Sequence, residues 1–165
     1  KASQLGDYLP QKLGFEADEK LTQVVLADGY KGFVLFFFEN GKAAKVPLSA
    51  YETKTNRKKL TGAYCDKSPL KTVLFLKEEE EQDLVLYSTE GRALLFGSGQ
   101  IPVKTTRSTQ GVQVMTLKKS YTVQEAKVLE DTPIVNKSRY KARSLPAAGA
   151  LLKAEDQGDT QLSLL

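Results

Sequence analysis

The 165-residue chain has no histidine, no tryptophan and a single cysteine, Cys65. Without histidine there is no Ser-His-Asp or Cys-His nucleophile, no His-ligated zinc and no haem held by an imidazole. One cysteine forms no internal disulfide, which excludes a small secreted scaffold stapled by bridges and fits a reducing, cytoplasmic setting. Any metal would rest on oxygen ligands alone; neither a metal nor a cofactor is expected. Long apolar runs are missing too. The longest uncharged stretch, residues 93–103, contains Gly and Pro and falls short of the ~18 residues a membrane span needs. No secretory leader opens the chain, which starts with Lys1 rather than Met and so reads as an excised piece of a longer protein. What is present is ordinary for one globular domain: 41% apolar and 27% charged residues, enough for a core and too apolar for general disorder.

The net charge is only +4, but its distribution is uneven. Residues 42–71 hold eight basic side chains (Lys42, Lys45, Lys54, Arg57, Lys58, Lys59, Lys67 and Lys71) against Glu52 and Asp66. Residues 92–119 hold Arg92, Lys104, Arg107, Lys118 and Lys119 and no acid. Two separated basic windows in similar sequence surroundings point to a polyanionic partner.

The two windows belong to an internal repeat. Shifted by 50, residues 20–69 overlie 70–119 without a gap. Thr22 meets Thr72, Leu26 meets Leu76, Gly41 meets Gly91, Ala43 meets Ala93, Lys54-Thr55 meets Lys104-Thr105, and Arg57 meets Arg107. Each unit reads as four short strands. They are expected at 22–26 and 72–76, at 33–38 and 84–88, at 42–48 and 92–96, and at 60–65 and 112–117. Asn40-Gly41 predicts a type I′ hairpin turn, and Glu90-Gly91 a longer turn with a G1 bulge. Four antiparallel strands in about fifty residues are the mark of a propeller-type blade. The expected division is an N-terminal segment 1–19, blades at 20–69 and 70–119, a closing strand at 120–130 and a tail at 131–165. Two units do not close a ring, so the array is either part of a longer one or completed by pairing across units.

The segment Asn40-Gly41-Lys42-Ala43-Ala44-Lys45-Val46-Pro47-Leu48-Ser49-Ala50-Tyr51 resembles a hairpin in the C-terminal domain of the DNA-cleaving subunit of bacterial type IIA topoisomerases, gyrase and topoisomerase IV. Glu90-Gly91-Arg92-Ala93-Leu94-Leu95-Phe96, followed by Arg107-Ser108-Thr109-Gln110-Gly111-Val112, resembles a second stretch of that family. The resemblance covers about residues 20–130. It implies an all-β pinwheel, with strands exchanged between neighbouring blades and duplex DNA bent around a basic rim. Cleavage chemistry would then lie in the rest of that topoisomerase polypeptide, and ATP hydrolysis in a separate ATPase subunit, so this piece is not itself catalytic. The implied setting is bacterial cytoplasm, at the nucleoid. Gyrase carries a basic glycine-rich box in one such loop. The loops 52–59 and 104–109 are basic but lack its Gly-Gly pair, which tilts the likeness toward topoisomerase IV.

The candidate phosphate contacts are Lys42, Lys45, Lys54, Arg57, Lys58 and Lys59 in one unit and Arg92, Lys104 and Arg107 in the other. Basic side chains among Ser, Thr and Asn on loops suit backbone binding, which carries no sequence information. The rival is a propeller-type module that docks an acidic protein. A small β-barrel enzyme is a poor third, since no acid–base pair is in view. Glu78 to Glu81 read as a solvated loop. Phe36-Phe37-Phe38 reads as a strand buried on both faces, Cys65 as core, and the tyrosines as packing. Residues 131–165 read as a loosely ordered tail, with a basic cluster at Lys137, Arg139, Lys141 and Arg143. Gln161-Leu162-Ser163-Leu164-Leu165 resembles the pentapeptide by which bacterial replication proteins bind the sliding clamp.

Overall fold

Phe33–Phe38 carries no polar side chain to turn toward water, so as a strand it must be covered on both sides. In the computed structural model, which describes residues 29–55, 60–77 and 81–158, it is strand β1 and Val34 to Phe38 are all buried. It pairs antiparallel with β2 (Lys42–Pro47). The next strands are β3 (Leu70–Leu76), β4 (Asp83–Ser88), β5 (Arg92–Gly97), β6 (Val112–Gln113), β7 (Val123–Val128) and β8 (Ala150–Leu151). They form two four-stranded antiparallel sheets, in the orders β3-β1-β2-β6 and β7-β4-β5-β8. Each sheet is a hairpin flanked by two strands from later in the chain. The pairing therefore crosses from one fifty-residue unit to the next.

Both hairpins turn in the same way. Gly41 N donates to Phe38 O at 3.1 Å, and Gly91 N donates to Ser88 O at 3.0 Å. Gly41 sits at φ +86° and Gly91 at +84°, while Asn40 is not at positive φ. This is a type I turn closed by a left-handed glycine, not the type I′ turn that Asn-Gly predicted. The reason lies at the sheet edge. In this form the Gly41 carbonyl faces outward, where it accepts from Val114 N (2.9 Å) and Met115 N (3.0 Å); Gly91 O accepts from Leu152 N at 2.9 Å.

A second glycine pair brings in the edge strands. A β-carbon on Gly111 would stand 1.9 Å from Ala43 O, and one on Gly149 2.2 Å from Ala93 O. Only glycine allows the backbone that close. Just before each, the chain bridges the same hairpin in parallel, Val103 to Lys45 in the first sheet and Lys141 to Leu95 in the second.

The strand alternation assigns three apolar layers. Leu35, Phe37 and Ala43 of the first sheet pack on Leu84, Leu86, Leu94 and Phe96 of the second; the Phe37 and Phe96 rings are 6.5 Å apart. The opposite face of the first sheet, Val34, Phe36, Phe38, Ala44 and Val46, is covered by Leu48, Tyr51 and Cys65. The opposite face of the second, Val85, Ala93 and Leu95, is covered by Ile134 and Tyr140.

Three further expectations change. Residues 60–65 form bends, not a strand; the sheet position is taken by β6 from the next unit. The strand expected at 112–117 pairs with β2 only over Val112–Gln113, because Val114 and Met115 turn to cap Gly41. Residues 131–158 are no loose tail. They supply β8 and a short helix α1 (Lys137–Tyr140) and bury Ile134, Tyr140 and Asp156. Asp156 accepts from Tyr140 OH (2.6 Å), Val135 N (2.8 Å) and Asn136 N (3.0 Å). Burial disfavours its charge, but these donors outweigh burial and hold the carboxyl well below the ordinary aspartate range,. Burial, aided by the Asp156 hydrogen bond, pushes the Tyr140 hydroxyl up.

Candidate functional site

Two loops that the repeat places fifty residues apart come together at the outer edge of the first sheet. After β2 a 3-10 turn at Leu48–Tyr51 releases the chain into residues 52–55. After β5 the chain runs back to that sheet, where Lys104 N donates to Lys45 O at 2.9 Å. Residues 105–107 then lie across from 52–55. Between them is a groove of about 540 Å³ lined by Glu52, Thr53, Lys54, Thr55 and Leu60 on one side and Thr105, Thr106 and Arg107 on the other.

Arg107 is held in place rather than swinging free. Its guanidinium lies 6.0 Å from the centre of the Tyr51 ring, within cation–π range. Tyr51 is anchored in turn: its hydroxyl donates to Ala63 O and its ring is 6.5 Å from Phe36 of the core. Burial pushes the Tyr51 hydroxyl up to about 12, with the Arg107 charge pulling the other way, so it stays a neutral donor at neutral pH. On the facing loop Thr53 Oγ1 donates to Thr55 O at 2.7 Å. The result is a concave surface with two cations, four threonines and one carboxylate, Glu52. Its chemistry suits oxyanions of a polyanion: charge from Lys54 and Arg107, hydroxyl groups from the exposed Thr105 and Thr106,.

The other candidates fall into three groups. Lys42 and Lys104 lie on the same edge; Lys42 Nζ donates to Gln110 Oε1 at 3.4 Å, and Lys104 is exposed. Lys45 and Arg92 are occupied elsewhere. Lys45, expected on the surface, is 9% exposed. It points between the sheets, donates to Ser98 O at 3.3 Å and lies 4.9 Å from the Phe33 ring centre. Burial lowers its pKa from the ordinary lysine value, opposed by the nearby Glu81 carboxylate. It sits on the same side of β2 as Ala43, so strand alternation turns it inward. Arg92 pairs with Glu90 at 3.0 Å and donates to Gly149 O at 3.2 Å. Lys118, 2.9 Å away, is the main influence that holds the Glu90 carboxyl below its ordinary range. Arg57, Lys58 and Lys59 lie outside the described residues, as do Glu78 to Glu80 and residues 161–165. Thr55 and Leu60, which flank the first three, both line the groove.

The meeting of the loops was not foreseen from the repeat, which sets Lys54-Thr55 and Lys104-Thr105 at equivalent positions of separate blades. The available signal was the strand exchange between neighbouring blades that the resemblance implied, and pairing across units as one of the two ways to complete the array. Among the described residues, no three His, Cys, Asp or Glu side chains are grouped to hold a metal, and no helix is long and apolar enough to cross a membrane.

Two stacked four-stranded sheets with strands exchanged between repeats, and an edge strand delivered from the following unit, define a β-pinwheel array. The solved structures bear this out. The C-terminal domain of DNA topoisomerase IV matches with a TM-score of 0.72 at 22% identity, over 92% of this chain and 52% of that one. The DNA gyrase A C-terminal domain matches with a TM-score of 0.59 at 17% identity, over 90% of this chain and 55% of that one. The chain thus has the fold of these domains and spans about half the length of each. No family model matches the sequence, and no curated protein does.

Proposed function

We propose that this chain is a DNA-binding module from the DNA-cleaving subunit of a type IIA topoisomerase, which holds and bends duplex DNA without sequence preference. It would present that DNA to a cleavage domain elsewhere in the protein, in company with the ATPase subunit, at the nucleoid in the cytoplasm. The observation that carries the reading is the groove in which the two basic loops meet, on a fold shared with C-terminal domains of topoisomerase IV and gyrase A. Lys54 and Arg107 within the groove, Lys42 and Lys104 beside it, and, from the sequence, Arg57, Lys58 and Lys59 are the proposed phosphate contacts. Lys45 and Arg92 are not among them, since each is engaged within the protein.

Phosphate contacts displace condensed cations, so binding falls with salt by a slope of about −0.9 per contact in log K against log salt. Changing Lys54→Glu and Arg107→Glu together should flatten that slope by roughly two units. Affinity should drop alike for every duplex sequence, because the backbone is common to all. Fluorescence titrations of labelled duplexes over several salt concentrations measure both. An unchanged slope refutes the assignment of the groove. Failure of the wild type to bind duplex DNA at low salt removes the whole reading and leaves the acidic protein partner.

A further inference from the structure

Lys45, a candidate phosphate contact in the sequence, is buried, and the fold by itself does not ask for a cation there. Shifted by 50, Lys45 falls on Leu95. Both lie on the face of their sheet that looks toward the next layer, Lys45 opposite Leu35 and Leu95 opposite Val85. Each receives the parallel bridge that brings in an edge segment, from Val103 in the first sheet and from Lys141 in the second. Yet an apolar side chain fills the second place, in a layer with Val85, Ile134 and Tyr140. A buried charge is weak evidence for stability, since an apolar residue of similar volume is often as good or better.

What Lys45 holds is the crossover between the sheets. Residues 98–104 leave β5 of the second sheet and arrive at β2 of the first, and Lys45 meets them at both ends. Its carbonyl accepts from Lys104 N at 2.9 Å, where the crossover arrives, and its Nζ donates to Ser98 O at 3.3 Å, where it departs. Ser98 is itself pinned to the second sheet: its N donates to Gln82 O at 2.8 Å, and its Oγ accepts from Gln82 N at 3.0 Å. The Glu81 carboxylate lies against the same turn, 3.0 and 2.8 Å from where β-carbons on Gly97 and Gly99 would stand. Glu81 also lines a second groove, of about 650 Å³, with Asp83, Lys141 and Arg143. Between the two fixed ends Ile101 is buried. Just past Lys104 the chain reaches Arg107 in the first groove.

We propose that Lys45 is a positioning residue of the first groove: its ammonium straps the crossover to the first sheet and so sets where Arg107 stands against a phosphate. Tyr51 orients the guanidinium; Lys45 places the backbone that carries it. The effect on DNA rests on the DNA-binding reading above, while the strap is measurable without DNA.

The test gives the first sheet the residue of the second, Lys45→Leu, in the intact chain. Hydrogen exchange of residues 101–107 should quicken roughly tenfold, as expected for loss of a hydrogen bond from a charged donor, while residues 112–115 keep their protection. The urea midpoint should stay or rise. The salt slope of duplex binding should flatten by about 0.9, one phosphate contact. In an Arg107→Gln background the same substitution should change binding no further, because the two act through one contact. Unchanged exchange at 101–107 overturns the strap whether or not DNA binds. Faster exchange with unchanged binding, while Arg107→Gln alone weakens it, overturns the positioning role and leaves the DNA-binding reading standing. Equal weakening with and without Arg107 overturns it too, since Lys45 would then act on DNA by another route. A wild type that binds no duplex at low salt, or binds it as well with Arg107→Gln, overturns the groove and the positioning role together. A midpoint that falls in both Lys45→Leu and Lys45→Met, the second of which keeps an unbranched side chain, shows that the cation belongs to the fold and refutes the proposal.

Discussion

The two sheets share a frame and differ in what they show to the outside. In both, a glycine-closed hairpin receives an edge strand from later in the chain, through a parallel bridge and a second glycine pressed against an alanine carbonyl. Yet at the start of the first hairpin stands Lys31, and at the matching place in the second stands Glu81. The edge loop of the first sheet runs Lys-Thr-Thr-Arg-Ser-Thr-Gln; that of the second runs Ala-Arg-Ser-Leu-Pro-Ala-Ala. One groove is cationic and rich in hydroxyls, the other mixed in sign. Apolar alternation and four glycines fix the frame, and the loops are free to specialise because no core contact depends on their charge.

The comparison breaks most severely where the sheets depend on each other. Phe37 is fully buried against Phe96, so Phe37→Ala should cost about 3–5 kcal/mol, seen as a lower urea midpoint with an unchanged slope. Close behind comes the edge glycine. Gly111→Ala and Gly149→Ala should each cost about 1–3 kcal/mol or more from the left-handed strain and the carbonyl clash. The first should also weaken proposed DNA binding, because it displaces the loop that carries Arg107, whereas the second leaves the first groove intact. Equal binding by both variants would mean that the edge loop is not the contact surface.

A milder test sets the acid response of the ends apart. The folded-state pKa of Asp156 is depressed, so its contribution to stability is present above the ordinary aspartate value of about 3.9. It is lost as pH falls below that value toward the folded one. Asp156→Asn should flatten the melting temperature between about pH 4 and pH 2. Hydrogen exchange should localise the change to residues 132–158. An acid profile identical to that of the wild type would show that the carboxylate does not hold this segment.

Much of the frame could be read from residues. Phe33–Phe38 and Leu84–Tyr87 announce themselves as unbroken apolar runs, and Gly41 and Gly91 mark their turns. The edges could not be read so easily, because an edge strand is defined by its partner. Leu60 to Cys65 are as apolar as many strands, but β6 from the next unit holds that position. Lys45 lies in Lys-Ala-Ala-Lys-Val, where side chains facing the core and side chains facing the far layer are equally small. Nothing local says that its ammonium will meet Ser98 O, more than fifty residues away. Tyr140 and Asp156 show the same limit in polar form: each is ordinary in its own surroundings, and only the fold joins them. Of the candidate site, the residue types and their loops were evident, while the meeting of the loops was a consequence of the exchanged strands.

The Ile134 and Tyr140 layer has a bearing on how such a protein grows. In a stacked array each sheet leaves one apolar face for its neighbour, and the last must be closed by something else. Here residues 132–158 cover the second sheet: their edge repeats the bridge and glycine contact of residues 103–111, and Ile134 and Tyr140, clasped by one buried carboxylate, lie on its apolar face. The clasp lies within this stretch and draws on no side chain of the first sheet. Duplication of a fifty-residue unit ahead of β4 would leave that clasp untouched, since Tyr140, Ile134 and Asp156 are held by the second sheet and by one another.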